Sequence, residues 1–358
     1  MSIIREDFIG FTFCGIHSSK YQIMSVTNGS RYSQSLFANF SDSTEHVMGM
    51  DGTYYFGTDI ETKPYTLHCF VDHITESQLR GLQAWLHPKK IGKLSFDEAP
   101  YKYYTVKVTQ TPVFDFVPSG NSSGNIYAGE FDLEFQAFDP FGYSYANSID
   151  DFNYDSEPSW YYDSGILYAG YTPPFIAENI IANKNILLYN AGNANAKPII
   201  SITGTADVLT ILNNTTGQYF TLTGMSSVIT IVVDSNKGRC MVGEYLANSY
   251  HTGGYIEIAG SNGVDYYSNV NFTNGSPIVS LIEGEWEETI VGRWIALGDN
   301  NWYKVVSLTS STAIILDKNF TGTTGVHNVS VIDLNEISIT GVNLNLSNIN
   351  FSYKHTYL

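Results

Sequence analysis

Between Glu130 and Ser144 the chain alternates and then stops. Phe131, Leu133, Phe135 and Ala137 take every second position, with Asp132, Glu134 and Gln136 between them. That is the period of an extended segment with one apolar and one wet face. Asp139-Pro140-Phe141-Gly142 then interrupts it. Proline fixes its own φ and lacks an N–H, and glycine tolerates the positive φ a turn demands. An acidic, aromatic stretch follows, which predicts an exit from one domain into another, with regular strands returning only later.

Upstream, Phe8 to Tyr21 reads as strand and then turn. Residues 27–62 carry repeated turn signals, Asn28-Gly29 and Asp51-Gly52 among them, the second leading into a hairpin arm at Thr53–Phe56. Tyr65–Phe70 alternates as a strand. Thr75–Pro88 is the one convincing helix: Thr75 and Gln78 form a capping-box pattern, with Ile74 and Leu79 at staple positions. Leu79, Leu82 and Leu86 share a face, Trp85 sits at its edge, and Pro88 stops it. Lys89, Lys90 and Lys93 follow, either a solvated turn that favours the helix C-terminus or a contact for an acidic partner subunit. Lys93–Glu98 and Tyr103–Gln110 read as strands, and 117–126 as a polar loop.

Beyond Asn179 the pattern is all strand. Ile186–Tyr189 precedes the turn Asn190–Pro198 and the strand Ile199–Ile202. Val228–Val233 and Arg239–Val242 flank a hairpin turn at Asp234–Gly238. Glu336–Thr340 and Ile349–Tyr357 close the chain. Residues 276–333 hold several short strands of their own, enough for a small β-barrel of about 55 residues. Trp286, Trp294 and Trp302 in that piece form either a compact core or a sugar-stacking platform, and their apolar strand-like neighbours favour the core.

Composition agrees with β-structure. Of 358 residues, 43% are hydrophobic and only 15% charged, against roughly 25% charged in ordinary globular chains. Tyr, Phe, Asn, Ser, Thr and Gly fill the difference, a mixture suited to strands and turns. The length suggests about two domains. Net charge is −17 with no basic stripe, which argues against binding to phosphate backbones. Cys14, Cys69 and Cys240 are too scattered for a disulfide framework or zinc site, and are expected to be small buried hydrophobes in a reducing compartment. The charged N-terminus does not read as a signal peptide, and no apolar run approaches a membrane span. A soluble protein made in a cytoplasm is expected.

The chemistry-bearing residues do not converge. No Gly-x-Ser-x-Gly elbow and no catalytic cysteine setting occurs. His68 and His73 are close in sequence but lack the helical His-Glu-x-x-His frame, so no metal site is expected. Glu283, Glu285, Glu287 and Glu288 supply carboxylates for glycoside hydrolysis only if two stand about 5–9 Å apart, and a solvated acidic cluster is the plainer reading. Asp151-Phe152-Asn153-Tyr154-Asp155 has part of a calcium loop without its glycine and terminal glutamate in register. With Asp150, Glu157 and Asp163 it reads instead as an acidic connector, stiffened by Pro173-Pro174. No phosphate-binding glycine loop appears. Asn-x-Ser/Thr triplets such as Asn271-Phe272-Thr273 reflect composition. Neither an enzyme nor a cofactor is expected.

The order of Phe13-Cys14-Gly15-Ile16-His17-Ser18, the Thr75–Pro88 helix, the lysine-bearing turn, the Tyr103–Gln110 strand and the ending Phe138-Asp139-Pro140-Phe141 resembles the distal tail proteins of long-tailed (siphovirus-type) bacteriophages. The turn Asn190–Pro198 resembles the opening of that family's galectin-like C-terminal sandwich. The resemblance implies a mainly β chain with three parts: a ring-forming N-terminal domain over 1–145 containing one short helix, a linker over 146–178, and a galectin-like sandwich over 179–358 that carries the 276–333 insertion. It implies a virion protein assembled in the bacterial cytoplasm, a hub that forms a ring, commonly a hexamer, below the tail tube protein. Its other partners would be the tail-tip protein and receptor-binding or baseplate proteins, without nucleic-acid or membrane binding. The alternative is an adhesin whose partner is cell-wall carbohydrate.

Overall fold

The computed structural model describes residues 8–26, 32–34, 37–49, 51–110, 112–113, 117–121, 124–148, 176–297 and 301–358. The turn at Asn28-Gly29, the calcium-loop candidate Asp151–Asp155 and the rest of the acidic stretch from Asp150 to Pro174 lie outside the described residues. The fold is mainly β. It divides into two compact units, Met1–Tyr145 with Leu358, and Ala146–Tyr357.

In the first unit, β1 (Phe8–Ile9), β2 (Phe11–Phe13), β3 (Ile16–His17), β4 (Ile23–Val26), β5 (Tyr32–Gln34), β6 (Phe40–Glu45) and β7 (Tyr54–Ile60) lead into β8 (Lys63–Thr75). Helix α1 (Glu76–Trp85) follows, then β9 (Ile91–Phe96), β10 (Lys102–Val108), β11 (Val117–Asn121), β12 (Gly124–Ala137) and β13 (Gly142–Asn147). The main sheet runs β1-β4-β8-β12-β10-β9-β2-β3, with β5 on β8 and β11 on β12. The alternation at 131–137 is the inner face of β12: Phe131, Leu133, Phe135 and Ala137 are buried.

Helix α1 starts where its cap predicts. The Thr75 side chain accepts from the Gln78 N–H and the Gln78 side chain from the Thr75 N–H, satisfying donors that the first turn leaves orphaned. The helix ends at Trp85, short of Pro88. Trp85 is not at the edge of the packed face but at its centre. It is 1% exposed, stacks on Phe11 and Tyr21 and packs against Phe13. The largest side chain on the helix buries the most apolar area, so it takes the core.

The structure differs from the sequence-based expectation at three further places. Residues 117–121 and 124–128 pair as a hairpin instead of a polar loop, because backbone ladders do not require apolar side chains. Regular structure resumes at once after the break, as β13 pairs with β10. Asp139 shapes that break by accepting from the Phe141 N–H and the Tyr143 hydroxyl. Cys14 is exposed, unlike Cys69 and Cys240. Cys14 and Gly15 both take positive φ, the backbone of a tight two-residue hairpin turn between β2 and β3, and a turn residue points outward.

The second unit begins with β14 (Ile176–Ile180), β15 (Lys184–Leu188), β16 (Ile199–Asn213), β17 (Tyr219–Asp234), β18 (Arg239–Val242), β19 (Tyr245–Leu246) and β20 (His251–Gly253). It closes with β27 (Asn335–Val342), β28 (Asn345–Ser352) and β29 (Lys354–Tyr357), after six barrel strands numbered below. The long pair β16–β17 is the spine of one nine-stranded sheet. The first half of β16 pairs with β28 and its second half with β27, while β17 pairs with β20 near its start and β18 near its end. Register shifts at Gly204/Ala206 mark the bend, where Gly204 takes φ 143° and a Cβ would meet the backbone of Asn345 and Leu346. Both halves turn Ile200, Ile202, Leu209, Ile211, Phe220 and Leu222 into one core.

Strands β21 (Asp265–Phe272), β22 (Ile278–Leu281), β23 (Trp294–Ala296), β24 (Trp302–Ser310), β25 (Ala313–Leu316) and β26 (Gly325–Ile332) form a closed barrel in the order β21-β22-β25-β24-β23-β26. Its first strand lies ahead of the 276–333 span read from the sequence. The alternating Asp265–Phe272 stretch is exposed at Tyr266 and buried only at Val270 and Phe272, so its apolar signal is weak.

Candidate functional site

The feature of the first unit that its own fold does not explain is the ribbon β6–β7. Among the described residues these strands pair only with each other, with Phe40 opposite Ile60 and Asp42 opposite Thr58. Ser43 and Thr44 flank a register shift opposite Gly57, whose φ is 147°. The Thr58 hydroxyl donates to Asp42 and lies against the Tyr55 hydroxyl. At the turn, a His46 ring nitrogen donates to the Gly52 carbonyl at 2.9 Å.

Among the described residues nothing covers either face of this ribbon. Phe40 is 65% exposed, Tyr55 63%, Phe56 66% and Met48 95%, with Phe37, Tyr54 and Ile60 also exposed. Asp42, Glu45, Asp51, Asp59 and Glu61 accompany them, and no Lys or Arg occurs between Phe37 and Thr62. A two-stranded hairpin alone is marginal in water, and exposed apolar patches of several hundred Å² mark interaction surfaces. The ribbon is therefore the first unit's candidate contact surface.

Across the sheet, Lys89, Lys90, Ile91 and Lys93 are exposed around the start of β9. The Lys89 N–H donates to the His87 ring at 3.2 Å, which closes the turn after α1. The Lys93 ammonium lies 4.1 Å from the Tyr103 ring centre.

The three tryptophans of the barrel region are all buried. Trp286 packs against Tyr267 in the barrel's core cluster, to which Phe272 and Phe320 also belong. Trp294 and Trp302 join Tyr189, Ala191, Ile332 and Leu334 in a separate cluster that seats the barrel on the rest of its unit. Arg293 reinforces that seam. It pairs with Asp265 and with Asp333 at 3.1 Å, and donates to the carbonyls of Gly263 and Val331. No exposed indole remains there for stacking on a sugar.

Glu283, Glu285, Glu287 and Glu288 are exposed around buried Trp286 and Ile290. His68 pairs instead with Asp132, its register partner on β12, and the His73 side chain lies outside the described residues. Among the described residues no group of three His, Cys, Asp or Glu side chains stands close enough to hold a metal ion. Burial pushes the thiols of Cys69 and Cys240 up and away from reactivity.

The ribbon is what sequence reading passed over. Residues 27–62 looked like turns with one hairpin arm, because Phe40–Glu45 does not alternate apolar and polar residues. The available signal was the pairing of a dense aromatic count with a complete lack of cations.

Residues 16–137 match the family model described as "Phage tail protein RIFT-related domain". No curated protein matches the chain. Among solved structures, the crystal structure of SPP1 Dit (gp 19.1), described as a hub adsorption apparatus of phages infecting Gram-positive bacteria, is 11% identical. That match covers 91% of this chain and 98% of the other, with a TM-score of 0.45. The phage P2 baseplate in its calcium-activated conformation is 8% identical, covering 97% of each chain at a TM-score of 0.29. The segment 16–137, which holds the ribbon, the helix and the lysine turn, is thus similar to the phage tail protein RIFT-related domain family, in agreement with the distal-tail resemblance carried by its motifs.

Proposed function

We propose that this chain is a distal tail hub: about six copies close into a ring through the N-terminal unit, as head-to-tail contacts under rotational symmetry do. The ring joins the tail tube to the tail tip, and the C-terminal unit, read as galectin-like, holds tail-tip, receptor-binding or baseplate proteins. The observation that carries this reading is the bare ribbon β6–β7. It exposes Phe40, Tyr55 and Phe56 within a segment of a phage tail family, and a copy of the chain beside it would cover them. The acidic balance of the chain suits a conduit, since DNA is repelled by a negative lumen.

The adhesin reading loses its strongest residues, because Trp286, Trp294 and Trp302 are buried. Mass measurement of the purified full chain in solution tests the hub. A species of about six subunits supports it. A chain that remains monomeric at every concentration, and in the presence of its tail tube protein, contradicts it.

A further inference from the structure

One end of the first unit's core is cationic. Strands β8 and β10 both run antiparallel to β12, so the two share a direction. Their inward residues Tyr65 and Tyr104 are buried with ring centres 4.9 Å apart. Side chains two positions apart on a strand point to the same face. Stepping back two residues from each tyrosine therefore brings Lys63 and Lys102 to the same end of the core. Each ammonium lies near the tyrosine next inward on its own strand, Lys63 at 5.9 Å from the Tyr65 ring centre and Lys102 at 5.8 Å from that of Tyr104.

The inward face of β8 is otherwise Tyr65, Leu67, Cys69 and Val71, all buried, and Lys63 breaks that run. Lys63 is 1% exposed, yet its ammonium has no hydrogen-bond partner, and among the described residues no ion pair reaches it. Burial pushes its pKa down, and burial followed by the charge of Lys63 does the same to the partly buried Lys102. An ammonium taken out of water is costly unless a countercharge meets it. A second cation beside it adds repulsion.

We propose that Lys63 and Lys102 hold a small inorganic oxyanion of the phosphate type between their ammoniums. Two positive charges match the charge of such an anion, and lysine binds phosphate as a point charge. The Tyr65–Tyr104 pair floors the site with ring faces, a surface of low dielectric that strengthens the attraction. An ammonium 1% exposed is out of reach of a phosphate carried on a polymer, so the ligand is the free anion. Once bound, it ties β8 to β10 across the intervening β12.

The test follows thermal unfolding of the full-length chain, dialysed free of phosphate, as inorganic phosphate is added, with sodium chloride at matched ionic strength as control. The melting temperature is expected to rise with the logarithm of phosphate concentration once the site begins to fill, and not with chloride. Lys63→Met and Lys102→Met keep the apolar stems, and each should abolish that response. Equilibrium dialysis of the wild-type chain against radiolabelled phosphate reads the binding directly and does not depend on either variant folding. Binding at one site per chain supports the proposal. No bound phosphate, an equal rise in chloride, or a phosphate response that persists in Lys63→Met would overturn it.

Discussion

The indole N–H of Trp85 donates to the main-chain carbonyl of Phe13 at 2.8 Å, in a buried site spanning 72 positions of sequence. It fastens helix α1 to the short strand β2, which precedes the exposed Cys14-Gly15 turn. The bond explains why an indole, and not a plain ring, fills this place. A buried carbonyl without its donor costs about 1–3 kcal/mol.

Trp85→Phe is therefore expected to destabilise the chain by about 1–3 kcal/mol, the loss of that bond with most of the packing kept. Trp85→Ala should cost about 3–5 kcal/mol by opening a cavity among Phe11, Phe13 and Tyr21. Urea unfolding followed by far-UV circular dichroism separates the two, and a Trp85→Phe chain as stable as the wild type would show that the hydrogen bond contributes nothing.

The seam under the barrel yields a second expectation. Arg293 is 9% exposed and reaches both Asp265 and Asp333, at the two ends of the barrel sequence. Arg293→Met keeps the apolar stem but removes the charge, and should destabilise the second unit by about 1–3 kcal/mol. Because Trp294 and Trp302 lie in the same seam, their fluorescence should report the loss before the circular dichroism signal of the whole unit falls.

Acid should weaken the second unit through His355. Burial, helped by the neighbouring charge of Lys354, pushes its pKa down to about 3 from an ordinary 6.5. Its Nδ1 accepts from the Ala191 N–H at 3.1 Å, which requires the neutral ring. Below pH 6.5 the unfolded chain takes up a proton that the folded chain refuses until about pH 3. Stability contributed by the neutral ring is thus complete above pH 6.5 and falls as pH drops through that window. His355→Asn, which keeps an acceptor, should flatten this part of the pH–stability curve. An unchanged slope between pH 6.5 and pH 4 would remove His355 as its source.

Gly192 gives a sharper case. A Cβ there would fall inside the carbonyl group of Thr356, where the Ala194 N–H also docks on Thr356 at 3.0 Å. Backbone on both sides leaves no flexible side chain to yield. Gly192→Ala is expected to cost more than the about 1–3 kcal/mol of ordinary overpacking, read as a loss of soluble protein or a lower melting temperature. Gly217→Ala, with open space around its Cβ but a positive φ of 74°, should cost about 1 kcal/mol.

Local patterns told the truth where one residue type decided the backbone. The Thr75–Gln78 box fixed the start of α1, and the alternation of Phe131 to Ala137 fixed the inner face of β12. They failed where tertiary packing chose between surfaces. Trp85 looked peripheral on a helical projection, because a wheel does not show how deep the facing sheet lies. Asp265–Phe272 closes a barrel with few apolar residues, and β6 has no inward side at all. A strand that faces nothing in its own unit leaves no period in the sequence, and this is why the ribbon, the most functional surface proposed here, was the least legible.

A reconstruction of the tail's far end from intact particles bears most directly on the central claim. The account expects this chain at the junction below the tube, in a closed ring whose neighbours touch through β6–β7. Its absence from that junction, or its presence there as copies that do not touch one another, would contradict the claim.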